Sequence, residues 1–467
     1  MAFAPAVPLR GTLLALSLAA LPGAVAGAQS TAPEDAVRHV TLDNGLLVVV
    51  VENHTVPLAT LNVVVRNGAY TQTDDEQGTA HLFEHMLFQG YQSGTQRPFG
   101  YDAAMIKASY NGVTSAELVA YYLTLPSEKA GDGVALLARL MRSTRFDAKT
   151  LGKERTIVFD ELNRNASEPD YQLMTAVEQQ LWGTGYPRKN VGGTVIDLMR
   201  ATPKRLTELF ERFYVPNNAA LVITGDVSAD HVFAQAREHF GKWKRGADPF
   251  ADGRPTPPPA LEMSEGVLVG HDDAPGATVL VSFQGPSAGP DRLESHAMLL
   301  FAQLVNDPAS GMQDRLVESG LFESLHLSYS PLAMGGELTL GGRTSAEQLQ
   351  PALEALKAEI DAFGRETYFT AEELIAAKRR SAVSRALQAE RMNVLGMSIA
   401  RAWSSVDLDH WLQEPQITET TDAAALHYVA SRYLTNQPRV IGVMMTPALA
   451  AEQQSVLARF LETGAGK

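Results

Sequence analysis

The feature that most constrains this chain is a duplication written around a segment that no helix or strand can use. Residues 246–262 (GADPFADGRPTPPPALE) are rich in Pro, Gly and Asp. Proline fixes φ and removes a backbone donor, so this segment is a linker. On either side of it the sequence echoes itself. The run Ala59-Thr60-Leu61-Asn62-Val63-Val64-Val65 resembles Ala277-Thr278-Val279-Leu280-Val281-Ser282-Phe283, 218 positions later (277 − 59). Arg212-Phe213-Tyr214, followed by Leu221-Val222-Ile223, resembles Arg432-Tyr433-Leu434, followed by Ile441-Gly442-Val443, 220 positions later (432 − 212). Two echoes at nearly one spacing, at opposite ends of each half, predict a duplicated unit. With 467 residues the chain is also too long for one ordinary core. The division that follows is 1–28 as a leader, 29–245 as a first domain, 246–262 as the linker and 263–467 as a second, homologous domain.

Each half mixes strands and helices. His39–Val51 holds two β-rich runs around Asp43-Asn44-Gly45, which predicts a hairpin. Ala59–Arg66, Glu117–Leu125 and Ala219–Thr224 are expected as strands, and Gly78–Phe88, Leu151–Arg164 and Pro203–Phe213 as helices. The fold class expected is α+β: two homologous α/β rolls, each an antiparallel-rich sheet with packed helices.

Residues 1–28 carry one base, Arg10, no acid, and an apolar run from Thr12 to Leu21. Two A-x-A sites follow, at Ala24-Val25-Ala26 and Ala26-Gly27-Ala28. The pattern is that of a secretory signal peptide, too short to span a bilayer, and it predicts an exported, periplasmic protein with no membrane partner. The formal charge of −14 argues against nucleic acid as a partner, since that binding needs a cationic surface.

The chemistry is concentrated at His81-Leu82-Phe83-Glu84-His85. At about 100° per residue, the two imidazoles lie one turn apart on one helix face, where they can grip a single ion. Glu84 lies about 80° to one side of their midpoint; the more familiar H-E-x-x-H order places its Glu about 80° to the other side. A catalytic zinc site needs a third protein ligand. The chain has no cysteine, so that ligand must be His, Asp or Glu. Glu154 and Glu161 share a face of the helix expected over 151–164, and Asp160, Glu168 and Asp170 compete by composition. Spacing does not choose among them.

His81-Leu82-Phe83-Glu84-His85, with Glu161 further on and Glu154 seven before it, resembles the pitrilysin/insulinase family of inverted-motif zinc peptidases. Gly68, Gly78-Thr79-Ala80-His81 and Gln89-Gly90 are similar to the family signature around the motif. Phe213-Tyr214-x-Pro216-Asn217-Asn218 followed by Gly225-Asp226 resembles the close of the family's first domain. Asn111 with Tyr121 resembles its substrate-binding edge strand, with Asn-Gly at 111–112 where Asn-Ala is usual. The resemblance covers essentially the whole chain beyond the leader and is closest in length to the short, processing-peptidase-like type.

The resemblance implies one zinc ion per chain held by His81, His85 and Glu161. It implies Glu84 as general base, Glu154 as an acid supporting a ligand, and Asn111 in the substrate strand. It implies a zinc endopeptidase acting on peptides or unfolded segments inside a chamber of four domains. The second half keeps no such motif: His81, Glu84 and His85 fall on Leu299, Ala302 and Gln303 at the 218 offset. Aligning Phe146 with Phe369 places Glu161 on Ser384. Complete members also carry an Arg and a Tyr seven apart in the second half, and here Tyr329 is preceded at that distance by Phe322. The expectation is therefore a catalytic subunit in a heterodimer whose partner supplies Arg and Tyr. A non-catalytic scaffold subunit and a self-sufficient homodimeric peptidase are the alternatives.

Overall fold

The computed structural model describes residues 34, 36–91, 97–142, 144–274 and 276–453. The expected leader, 1–28, lies outside them. The chain turns back at Asp43-Asn44-Gly45, where Gly45 sits at φ 94° and its N–H reaches the Leu42 carbonyl at 2.8 Å. That turn joins β1 (Val37–Thr41) to β2 (Leu47–Glu52) as an antiparallel hairpin. β3 (Leu58–Val65), β4 (Ser109–Thr114), β5 (Val119–Pro126) and β6 (Ala219–Gly225) complete a first sheet, ordered β1-β2-β6-β3-β5-β4. β7 (Glu265–Gly270), β8 (Ala277–Gly285), β9 (Ser324–Ser330), β10 (Gly336–Thr344) and β11 (Val440–Met445) form a second, ordered β7-β11-β8-β10-β9.

Without β1 the two orders are the same, and β2–β6 and β7–β11 are the parallel pairs in otherwise antiparallel sheets. The register repeats as well. Val63 faces Leu221 between β3 and β6; Val281 faces Ile441 between β8 and β11. Those partners are shifted by 218 and 220, the offsets of the two sequence echoes. The chain is thus α+β with two homologous domains.

Each half lends a helix to the other. Helix Pro169–Trp182 packs on β7, β8 and β11, burying Leu173 and Val177 beside Val440 and Met444. Helix Met392–Ser405 packs on β3 and β6, burying Leu395, Ile399 and Trp403 against Val64 and Val222. The second sheet makes room with Gly442, where a Cβ would lie 2.3 Å from Val177 Cγ2. Polar ties add to the apolar contact. The Arg66 guanidinium donates to the carbonyls of Trp403 and Val406 at 2.8 and 2.9 Å. Buried Glu117 accepts the backbone N–H groups of Ala333 and Met334, both at 3.0 Å. Among the described residues no helix is long and apolar enough to cross a membrane.

Candidate metal centre

Helix Thr79–Gly90 carries the motif. Leu82, Phe83, Met86 and Leu87 are fully buried in the core of the first half. Phe83 packs on Tyr214 with ring centroids 4.4 Å apart. That apolar side fixes the rotation of the helix and turns His81, Glu84 and His85 the other way. The helix begins at Gly78, at φ 80°, which lies back to back with Gly193, also at φ 80°. A Cβ on Gly193 would sit 2.4 Å from both Gln77 O and Gly78 Cα. Two glycines therefore let the start of the motif helix touch the loop that leads into Val195–Arg200.

Helix Ala148–Ser167 crosses beside it. Asp147 caps it, accepting from Lys149 N and Thr150 N at 3.0 Å each. Arg155 ties it down by donating to the carbonyls of Leu198 and Ala201. Val158 and Leu151 are its buried apolar residues, and Glu154 and Glu161 face the histidines. Glu161 Oε2 lies 3.6 Å from His81 Nε2 and 3.7 Å from His85 Nε2. Glu154 is buried and its Oε2 lies 3.4 Å from His85 Nδ1. Asp160, Glu168 and Asp170 are exposed, and Asp170 is paired with Arg343 at 3.3 Å.

Among the described residues, one group of three or more His, Asp or Glu could hold a metal ion: His81, His85 and Glu161, with ligand atoms within 4.8 Å of one another. The spacings suit the ion. Ligands about 2.1 Å from a tetrahedral zinc are about 3.4 Å apart. The donors are also of the right kind, two imidazoles and a carboxylate with Nε2 of each ring turned to the same oxygen. Burial lowers the His81 pKa to about 4, with His85 adding to it and Glu161 opposing, so the ring is neutral and able to donate its lone pair at ordinary pH.

Glu84 is buried and burial raises its pKa, while a hydrogen bond from Thr114 opposes the rise. Thr114 Oγ1 donates to Glu84 Oε2 at 2.6 Å. Thr114 ends β4, the edge strand of the first sheet, so that strand touches the motif helix through its side chains. Gly112, on the same strand, lies against Glu84: a Cβ there would be 2.4 Å from Glu84 Oε1. A side chain at 112 would require the Glu84 carboxylate to shift. Asn111 is exposed on that strand, and its Oδ1 accepts from the N–H of Gly112 at 2.9 Å. Tyr121 on β5 is fully buried, its hydroxyl 3.1 Å from that of Tyr214. Sequence reasoning did not single out Thr114. Its contact with Glu84 joins positions 30 apart, and alternation along a strand does not mark it.

The fold is a duplicated α+β scaffold that carries a His₂Glu cluster able to hold a metal ion, beside a buried carboxylate. Comparison with known proteins supplies the family. Residues 47–197 match the profile described as Insulinase (Peptidase family M16), and residues 200–381 match Peptidase M16 inactive domain. The chain belongs to the pitrilysin/insulinase family. It is 25% identical over 362 residues to an uncharacterized zinc protease of Bacillus subtilis, covering 76% of this chain and 85% of that one. It is 27% identical over 251 residues to the mitochondrial-processing peptidase subunit beta of Blastocladiella emersonii, covering 53% and 52% of the two chains, so it matches about half the length of that relative. The solved first half of the periplasmic protease PqqL from Escherichia coli has the same fold, with a TM-score of 0.75 at 19% identity over 94% of this chain and 98% of that one.

Proposed function

We propose that this chain is a zinc-dependent endopeptidase, with His81, His85 and Glu161 as ligands, Glu84 as general base and Glu154 as the acid that orients His85. The observation that carries the reading is the convergence of both Nε2 atoms on one Glu161 oxygen, beside the buried carboxylate of Glu84. When bound, zinc supplies a Lewis acid for the scissile carbonyl and acidifies water. Glu84, its basicity raised by burial, takes the proton from the attacking water and delivers it to the leaving nitrogen. Glu154 Oε2, beside His85 Nδ1, fixes the tautomer that leaves Nε2 free for the ion. The outer edge of β4, with Asn111 exposed on it, receives the peptide as an added strand.

The same reading makes the chain the catalytic subunit of a heterodimer in the periplasm, its partner completing a closed chamber and supplying an Arg/Tyr clamp. Three observations support it. The segment 314–330 places Phe322, a core residue, seven before Tyr329. Tyr329 itself is engaged in the fold, donating to the Pro286 carbonyl at 2.7 Å, with Ser295 Oγ at 2.9 Å. A relative is named as a beta subunit, and a structural neighbour as periplasmic.

Turnover of a quenched fluorescent peptide mixture by the purified, zinc-loaded chain, with and without chelator, tests both levels. Zinc bound at one per chain without cleavage, and chelator-sensitive cleavage on adding the partner, is the expected result. Cleavage by the chain alone overturns the heterodimer and favours a self-sufficient peptidase. Neither zinc nor cleavage favours the scaffold. In the active assembly, Glu84→Gln should retain zinc and lose turnover; cleavage by this variant at the parental rate overturns the assignment of Glu84.

A further inference from the structure

The two sheets have four outer strands: β1 and β4 in the first, β7 and β9 in the second. An outer strand offers a row of unpaired N–H and C=O groups, and folded proteins ordinarily blunt it. β4 is the edge given to peptide under the proposed function. β1 is short and carries Arg38, which pairs with Asp230 at 2.6 Å. β9 is closed by side-chain amides. Asn306 Nδ2 donates to the Leu327 carbonyl and its Oδ1 accepts the Leu327 N–H, both at 2.8 Å. Gln313 Nε2 donates to the Leu325 carbonyl at 3.0 Å.

β7 has no such cover. It is the counterpart of β2, shifted by 218 (265 − 47), and β2 carries β1 on its outer side. Along β7, Glu265 N and His271 N donate to the carbonyls of Arg439 and Met445, at 3.0 and 2.9 Å. The odd-numbered residues therefore turn their main-chain groups toward β11, and Gly266, Leu268 and Gly270 turn theirs outward. Among the described residues none of these three has a hydrogen bond on that outer side. Gly266 and Gly270 are exposed, and the strand has no Pro, Lys or Arg to guard it.

The sequence of β7 says what fits there. From Gly266 to Gly270 it reads the same in both directions, Gly-Val-Leu-Val-Gly. We propose that β7 is a self-association edge: two copies of this chain pair β7 with β7, antiparallel about a two-fold axis at Leu268, joining two five-stranded sheets into one. Leu268 then faces Leu268 of the second copy, and Gly266 faces its Gly270. These are the residues whose main-chain groups point outward, so each facing pair exchanges both of its hydrogen bonds. Val267 meets Val269, and Glu265 meets His271, an acid opposite a base at both ends of the contact. β4 and the motif helix belong to the first half, so the pairing leaves them free and does not depend on zinc.

Sedimentation velocity of the purified chain over a concentration series, with and without chelator, tests this. A reversible monomer–dimer equilibrium is expected, weak because the contact is small, and unchanged by chelator. Hydrogen exchange at Gly266, Leu268 and Gly270 should slow as the dimer fills, while the odd-numbered amides already bonded to β11 change little. Gly266→Pro removes an outward donor and no bond to β11, so it should abolish the dimer while the monomer still melts as a folded protein. His271→Glu sets two acids opposite each other and should weaken association about tenfold; adding Glu265→Lys should restore it. Where Gly266→Pro fails to fold, this charge exchange decides. The proposal is overturned if the chain stays monomeric at sub-millimolar concentration, if a dimer forms without slower exchange at the three amides, if it survives a folded Gly266→Pro, or if the charge exchange fails to restore it.

Discussion

At the scale of single residues, the candidate site depends on what holds Glu84 and His85. Thr114 is the only side chain donating to Glu84 among the described hydrogen bonds, at 2.6 Å. Thr114→Val keeps the shape and removes the donor. It should lower kcat about tenfold with little change in KM, and Thr114→Ser should restore most of it. Equal loss in both variants would make the role one of packing. Glu154 stands one step further out, its Oε2 3.4 Å from His85 Nδ1. Glu154→Gln should weaken zinc about 10–100-fold in a chelator competition while leaving the fold intact; unchanged affinity would remove it from the site. The sequence made His81, Glu84 and His85 legible, because their geometry is set within a single turn and a half of helix. It did not choose Glu161 over Asp160, Glu168 or Asp170 by spacing, because that choice depends on how two helices cross. Thr114 and Gly112 were illegible for the same kind of reason: strand-to-helix contacts have no local period.

At the scale of elements, the motif helix is aimed at both ends. Its apolar side locks into the core through Phe83, and its start is pressed against Gly193. Gly193→Ala meets two obstacles, a φ of 80° and a Cβ 2.4 Å from backbone atoms of residues 77 and 78. It should cost about 1–3 kcal/mol of stability and also weaken zinc binding, although residue 193 touches no ligand. A thermal melt together with zinc titration checks both; a stability loss without any change in zinc affinity would show that the loop does not aim the helix. Helix ends followed simple signals. Pro203–Phe213 starts and stops where the sequence places it, after the Thr202 cap. The helix expected over 151–164 runs instead from Ala148 to Ser167, starting three residues earlier because Asp147 caps it. Pro169–Trp182 and Met392–Ser405 escaped the sequence reading. Each packs on the sheet of the opposite half, so its apolar pattern answers to partners more than 80 positions away.

At the scale of the whole molecule, the halves are joined by exchanged helices and by buried charge. Lys189 and Glu178 of the first half meet Glu337 of the second: Lys189 Nζ lies 2.9 Å from Glu337 and 3.6 Å from Glu178. One ammonium thus serves two carboxylates in a site where all three side chains are largely buried. Trp182 Nε1 donates to Glu337 at 3.1 Å, which favours charge on that partner. Burial pushes the Glu178 pKa up to about 7, Lys189 opposing and Glu337 adding to the rise. An unfolded chain releases this proton near the ordinary carboxylate value of 4.5. Between those two values the folded chain holds a proton that the unfolded chain has lost, so stability falls as pH rises through the window and levels off above it. The melting temperature of the parent should therefore drop between about pH 5 and pH 7.5 by more than that of Glu178→Gln, whose amide is neutral throughout. The cost of charging Glu178 falls on the contact between the halves, because Glu337 is the second acid it must sit beside. Parallel pH slopes for the two proteins would show that Lys189 neutralises both acids, and that the junction tolerates two charges as readily as one.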